Sequence, residues 1–318
     1  MKKMWKTLVA LLAGMLCVAN AQVQVDPDLP EYTPVSGVSG TLNSVGSDTL
    51  NNLMTFWAED FCKFYPNVKI QIEGKGSSTA PPALIEGTSQ LGPMSRAMKS
   101  KEIDSFEKTF GYKPTNLAVA IDALAVFVNK DNPVKSMDLK DVDSVFSSTY
   151  KRGGQDITKW GDIGLSGTWA SLPISIYGRN SASGTYGFFK KNVLKKGDYK
   201  ATVKEQPGSS AVVQGIASDL GSIGYSGIGY KTSGVRALPL SDGGKVFEPS
   251  VDNCLSGDYP LARSLYIYVN DPPSEQVDLV IKEFFRFILS KQGQEIVVKD
   301  GYFPLPAEAA KAQLAQLN

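Results

Sequence analysis

Polar and apolar positions along this chain change period repeatedly, from two to 3.6 and back. Residues 41–45 and 68–72 alternate as half-buried strands do, the second reading Val-Lys-Ile-Gln-Ile. Between them Leu50, Leu53, Met54, Trp57, Phe61 and Phe64 recur at helical spacing, which predicts one buried stripe ending before Pro66. The plan repeats from residues 68–72 through Gly74–Thr79 into a helix carrying Pro81 and Pro82 in its first turn, where proline is tolerated. It repeats again from residues 90–96 into a charged helix over 99–110. Further on, residues 172–177 read as strand, 186–194 as helix, and 277–289 as an amphipathic helix followed by a shorter one. Strands alternating with helices in this way predict an α/β fold with mainly parallel sheet.

Two strand-like stretches are longer than the rest, residues 117–129 and 259–269. Their positions, near the first third and the last quarter, suit a chain that leaves one lobe, builds a second and returns. The expected organisation is therefore lobe I from residues 40–123 plus 263–318, lobe II from 124–262, and two hinge strands between them. A ligand would sit in the cleft, beyond the carboxyl ends of the strands.

The first residues do not follow this pattern. Lys2, Lys3 and Lys6 precede a short apolar run at residues 8–18 that ends in Ala19-Asn20-Ala21. That is the layout of a cleaved secretory signal over residues 1–21, and the run is too short for a membrane anchor. Residues 22–39 are polar and contain proline, and read as a loose leader.

Composition narrows the chemistry. Lys plus Arg number 33 against 32 for Asp plus Glu, a net charge of +1, so no strong field points to nucleic acid or an acidic membrane surface. Histidine is absent, which removes the commonest general base and the commonest transition-metal ligand. After the signal only Cys62 and Cys254 remain. They are too few for a cysteine-rich zinc site, and either a disulfide or two free thiols is compatible with export. No cofactor is expected.

The candidate chemistry lies in four turns. Residues 177–186, Tyr-Gly-Arg-Asn-Ser-Ala-Ser-Gly-Thr-Tyr, join a strand to a helix start, where unpaired N–H groups and the helix dipole favour an anion. Arg179 adds a planar fork suited to tetrahedral oxyanions. The bland alternative is a capped helix with an exposed arginine. Residues 46–49, 76–79 and 95–96 have the same Ser, Thr and Gly character, and three such turns from lobe I with one from lobe II could replace the hydration shell of a small anion. The glycines of residues 220–230 have the wrong spacing for a dinucleotide loop and fit close backbone packing instead.

These motifs resemble the phosphate-binding proteins of the PstS type, receptors of phosphate ABC transporters, over most of the chain after the signal. Arg179-x-x-x-Ser183-Gly184-Thr185 matches the family's signature in the second lobe, and Gly76-Ser77-Ser78 its second loop. Residues 144–164, 259–269 and 301–306 also resemble family landmarks. The resemblance implies a two-lobed periplasmic-binding-protein fold, a periplasmic monomer, inorganic phosphate as ligand and a membrane permease as partner. It implies phosphate contacts from Asp48, Thr49, Ser77, Arg179, Ser183, Gly184 and Thr185, with Ser78 and Ser95 as further candidates. Some family members place an aspartate in the third loop to accept the proton of hydrogen phosphate. Here Ser95 stands there, leaving Asp48 either as the replacement acceptor or as a helix cap.

Two other readings stand beside this one. A phosphate scavenger of the same fold need not dock a transporter. A serine hydrolase or phosphotransferase would use Ser148-Thr149-Tyr150-Lys151 with Lys231-Thr232-Ser233-Gly234, but no Ser-Asp-Asn lies between them.

Overall fold

The computed structural model describes residues 23–317. The expected signal over residues 1–21 lies outside the described residues, among which no helix is long and apolar enough to cross a membrane. The chain opens with β1 (Gly40–Val45), α1 (Asn51–Phe64), β2 (Val68–Glu73), α2 (Ala80–Ile85), β3 (Gly92–Met94) and α3 (Ser100–Phe110). β1 and β2 pair in parallel, and Ser44 bridges in parallel to Leu91 at the start of β3.

β4 (Thr115–Asn129) is the long crossing strand. Its sequence is apolar almost throughout because both of its faces are covered. Ala125 and Phe127 pack into one core with Trp57 and Phe284, while Leu124, Val126 and Val128 pack into a second core with Trp160 and Phe189. There follow β5 (Met137–Asp138), α4 (Leu139–Phe146), β6 (Ser175–Arg179), α5 (Gly184–Asn192), β7 (Lys204–Gln206), α6 (Ser209–Ser218), β8 (Ser222–Gly227), β9 (Val235–Ala237), β10 (Leu240–Ser241), α7 (Val251–Leu255) and β11 (Ala262–Val269). Three helices close the chain: α8 (Leu279–Ile288), α9 (Lys291–Lys299) and α10 (Ala307–Leu314).

The main sheet runs β3-β11-β4-β8-β6-β7, with β9 also on β4. The first half of β4 pairs antiparallel with β11, and its second half with β8 and β9. One strand thus belongs to both halves of the molecule. β6 pairs in parallel with β7 and β8, so pairing is antiparallel where a crossing strand takes part. The glycine-rich stretch before residue 230 forms β8, buried over its whole length.

Residues 22–39, expected as a loose leader, are tied down over their described part. Leu29, Tyr32 and Val38 are buried. The Tyr32 hydroxyl lies 2.5 Å from that of Tyr65 and donates to Glu283 at 3.0 Å, and its ring meets Phe64 and Phe287 edge-on. These apolar residues have no regular spacing, so periodicity does not reveal them, yet they fill the seam beside α1 and α8. Cys62 and Cys254 are both free thiols, and burial pushes the Cys254 thiol up to about 12.

Candidate functional site

All four turns meet between the two halves of the molecule. The Thr49 hydroxyl lies 3.0 Å from that of Thr185, which lies 3.5 Å from Ser95 Oγ, itself 3.3 Å from Ser77 Oγ. The Ser95 N–H donates to Ser77 Oγ at 3.0 Å. Four hydroxyls from four separate turns therefore share one buried point, and none of the four residues is more than 1% exposed. Gly184 sits against them so closely that a Cβ there would lie 2.2 Å from Ser77 Oγ and 2.6 Å from Ser95 Oγ. Gly76 takes φ +121°, which lets the Ser78 N–H reach the Ala182 carbonyl at 3.1 Å and lock the second turn to the fourth.

Arg179, at the end of β6, is 1% exposed. Its Nη1 reaches Ser209 Oγ at 2.7 Å and Asp48 Oδ2 at 3.0 Å, and its Nη2 donates to the Pro207 carbonyl at 3.0 Å. Nε is buried and makes no hydrogen bond. Burial pulls the guanidinium below its ordinary value, and the Asp48 carboxylate opposes this. The backbone that carries Arg179 is held from behind, its N–H donating to Tyr225 OH, whose ring stacks 4.0 Å from that of Phe189.

The structure sets aside one of the two readings of Asp48, the helix cap. Ser47, not Asp48, is the cap residue of the short 3-10 turn, and no side chain caps it. Asp48 instead reaches across, its Oδ2 accepting from the N–H and the hydroxyl of Ser209, both at 2.8 Å, as well as facing Arg179. The cap reading is set aside because a carboxylate gains more from a buried guanidinium and two donors than from one orphan N–H. The first turn is fixed by two tyrosines, Tyr230 donating to the Asp48 carbonyl and Tyr302 to the Thr49 carbonyl, each at 2.8 Å.

Two candidates stand at the edge of the cluster. Ser183 Oγ accepts from the N–H groups of Thr185 and Tyr186, so this hydroxyl caps α5. Ser78 Oγ points to Arg96, which forms a bidentate pair with Glu102 at 2.7 Å on both arms.

Sequence reasoning missed a second arginine. Arg263, on β11, donates through Nε to Asp122 Oδ2 at 2.8 Å, through Nη1 to the Ser95 carbonyl at 3.0 Å and through Nη2 to Thr185 Oγ1 at 2.9 Å. Asp122 is its directly opposite partner on β4, and both side chains are almost wholly buried. Asp122 also accepts from the Ile228 N–H at 2.9 Å. A charged residue in each of two otherwise apolar crossing strands was the available signal. The site thus holds two guanidiniums, two carboxylates and four neutral hydroxyls, a set rich in donors in which the fixed charges are paired. The motif residues offered for an enzyme do not assemble: Ser148 Oγ donates to the Asp198 carbonyl and Lys151 to the Lys196 carbonyl.

A cleft between two α/β lobes joined by crossing strands and lined with anion donors defines a class, the two-lobed solute receptors. The PBP superfamily domain matches residues 33–292, and the chain belongs to that superfamily. It is 52% identical over its whole length to the phosphate-binding protein PstS of Pseudomonas aeruginosa, covering 99% of that protein. It is 30% identical over 84% of its length to the protein SphX of Synechococcus elongatus, covering 78% of that one. Among solved structures, a phosphate ABC transporter substrate-binding protein from Clostridium perfringens with bound phosphate superposes with a TM-score of 0.70. It is 26% identical, over 84% of this chain and 100% of that one.

Proposed function

We propose that this chain is an exported, monomeric receptor that binds inorganic phosphate between its lobes and presents it to the permease of an ABC transporter. It is a binding protein, not an enzyme. Lobe I comprises residues 40–123 and 263–318, and lobe II residues 124–262. The observation that carries this reading is the meeting of the Thr49, Ser77, Ser95 and Thr185 hydroxyls, one from each turn, beside Arg179. The high identity to a phosphate-binding protein supports the same ligand.

Binding follows from the donor set. Hydroxyls and N–H groups exchange for the water around the anion, and each hydrogen bond to a charged oxygen contributes about 1.5–3 kcal/mol net. Asp48, Thr49, Ser77, Ser95, Arg179, Gly184 and Thr185 form the lining, while Ser78 and Ser183 hold the second and fourth turns in place. Because the turns come from both lobes, the ligand bonds also hold the lobes together. Calorimetry on protein unfolded, stripped of phosphate and refolded should give tight 1:1 binding without turnover. No heat at millimolar phosphate, or steady release of phosphate from an ester, overturns the reading.

A further inference from the structure

Beside the buried hydroxyl cluster lies a cavity of about 1020 Å³. It opens between the stretch from Arg96 to Ser100 on one side and α5 with Lys196 on the other, floored by the start of β11. Thr49, Ser77, Ser95 and Thr185 are not among its lining residues, whereas Ser78, Ser183 and Arg263 are, so the cavity adjoins the edge of the hydroxyl cluster. Six cationic side chains line it and no carboxylate does. Three of the six are neutralised from outside: Arg96 by Glu102, Lys190 by Asp198 and Arg263 by Asp122. Lys99, Lys191 and Lys196 make no ion pair among the described residues, and all three are exposed.

The position of Lys196 is held against a backbone preference. Lys195 and Lys196 both take the left-handed region, at φ +47° and +61°, which a side chain with a Cβ disfavours. The turn persists because the Lys196 N–H donates to the Lys190 carbonyl at 2.8 Å. The cavity wall is not only charged. Tyr186, Phe188 and Tyr266 line it half-buried. Tyr186 is stacked 4.6 Å from Tyr199, and the Arg263 guanidinium lies 5.3 Å from the Phe188 ring centre. Orthophosphate would engage the ammonium groups and leave the rings unused. An anion that also carries a flat apolar body would use both.

We propose that this cavity is a second binding site, adjoining the hydroxyl cluster, for a phosphomonoester bearing a planar organic group. The phosphoryl group pairs with Lys99, Lys191 and Lys196, and the organic group lies against the rings. The assignment rests on the proposed function in one respect, that inorganic phosphate fills the inner site.

The test uses full-length mature protein saturated with inorganic phosphate, so that the inner site is filled, and titrates it with adenosine monophosphate. Binding should persist at saturating phosphate and weaken as salt rises. The Lys99→Ala/Lys196→Ala variant, changed only at exposed positions, should bind about tenfold more weakly, as expected for losing two solvent-exposed charge contacts. Tyr266→Ala should weaken adenosine monophosphate but not pyrophosphate. Loss of adenosine monophosphate binding at saturating phosphate overturns the second site. Pyrophosphate binding as tightly as the nucleotide, or an unchanged affinity in the double variant, overturns the assigned chemistry.

Discussion

Replacing Asp48 by Asn separates two jobs that one carboxylate could perform. Oδ2 is already engaged by Ser209 N, Ser209 Oγ and Arg179. If Asp48 only braces Arg179, Asn keeps an oxygen for the two Ser209 donors and the site gains one net positive charge. Phosphate and sulfate, both dianions, would then strengthen or weaken together. If Asp48 also accepts the proton of hydrogen phosphate, the effects part. Phosphate loses a charge-assisted hydrogen bond of about 1.5–3 kcal/mol, roughly a 10–150-fold weakening. Sulfate has no proton to offer and escapes the repulsion between its oxygen and the Asp48 carboxylate. We expect the second pattern: Asp48→Asn lowers phosphate affinity by about one to two orders of magnitude and makes sulfate binding measurable. Competition titrations of the refolded, anion-free variant with both anions give the ratio directly. A phosphate-to-sulfate preference equal to that of the parent refutes the acceptor role and leaves the discrimination to Ser95 or a bound water.

Arg179→Ala should cost both binding and stability, the latter by about 3 kcal/mol, because a buried guanidinium paired to Asp48 and a backbone carbonyl is lost; urea unfolding with and without phosphate separates the two. Arg263→Met should destabilise by about 3–5 kcal/mol by stranding Asp122 in the interior, and Asp122→Asn added to it should recover stability but not phosphate affinity, since the bond to Thr185 stays lost. Gly184→Ala should weaken phosphate by about 1–3 kcal/mol, as its Cβ must push Ser77 and Ser95 apart; unaltered calorimetry would refute that close packing. Burial raises the Asp300 carboxyl to about 7, and its Oδ2 has no hydrogen-bond partner. Between about pH 4 and 7 the folded chain therefore holds a proton that the unfolded chain has released, so stability falls as pH rises through that window and levels off above it. Asp300→Asn should flatten this slope and stabilise the protein at pH 8 by at most about 2 kcal/mol, discounted for partial exposure, as thermal unfolding across pH would read.

Much of the fold was legible because the elements that build it obey simple periods. α1 has one buried stripe, and Leu53, Met54, Trp57 and Phe61 are its buried face. The apolar run of β4 announced a long strand, and the expected crossing at residues 117–129 falls within Thr115–Asn129. What escaped was structure without a period. The segment before β1 is pinned by single contacts such as Tyr32 to Glu283, and no run of residues encodes them. Strand direction was also only partly readable. Parallel order follows from the strand–helix–strand rhythm, whereas the antiparallel entry of β11 beside β4 depends on where a distant stretch returns.

The site divides along the same physical line. Turns that bind anions carry a local signature, because small hydroxyl residues and glycine must stand together at a helix start, and so Ser77, Arg179, Gly184 and Thr185 could be picked from sequence. Asp48 and Arg263 act across the molecule, and their roles depend on partners far along the chain: Ser209 and Arg179 for the first, Asp122, Ser95 and Thr185 for the second. Arg263 ties together a carbonyl of the third turn, a hydroxyl of the fourth and the opposite crossing strand. Because its Nη2 donates to Thr185 Oγ1, that hydroxyl must point its own proton elsewhere, toward Thr49 Oγ1 or Ser95 Oγ. The crossing strands therefore do more than connect two lobes. Through one buried ion pair they set the direction of a hydroxyl proton in the cluster of the four turns.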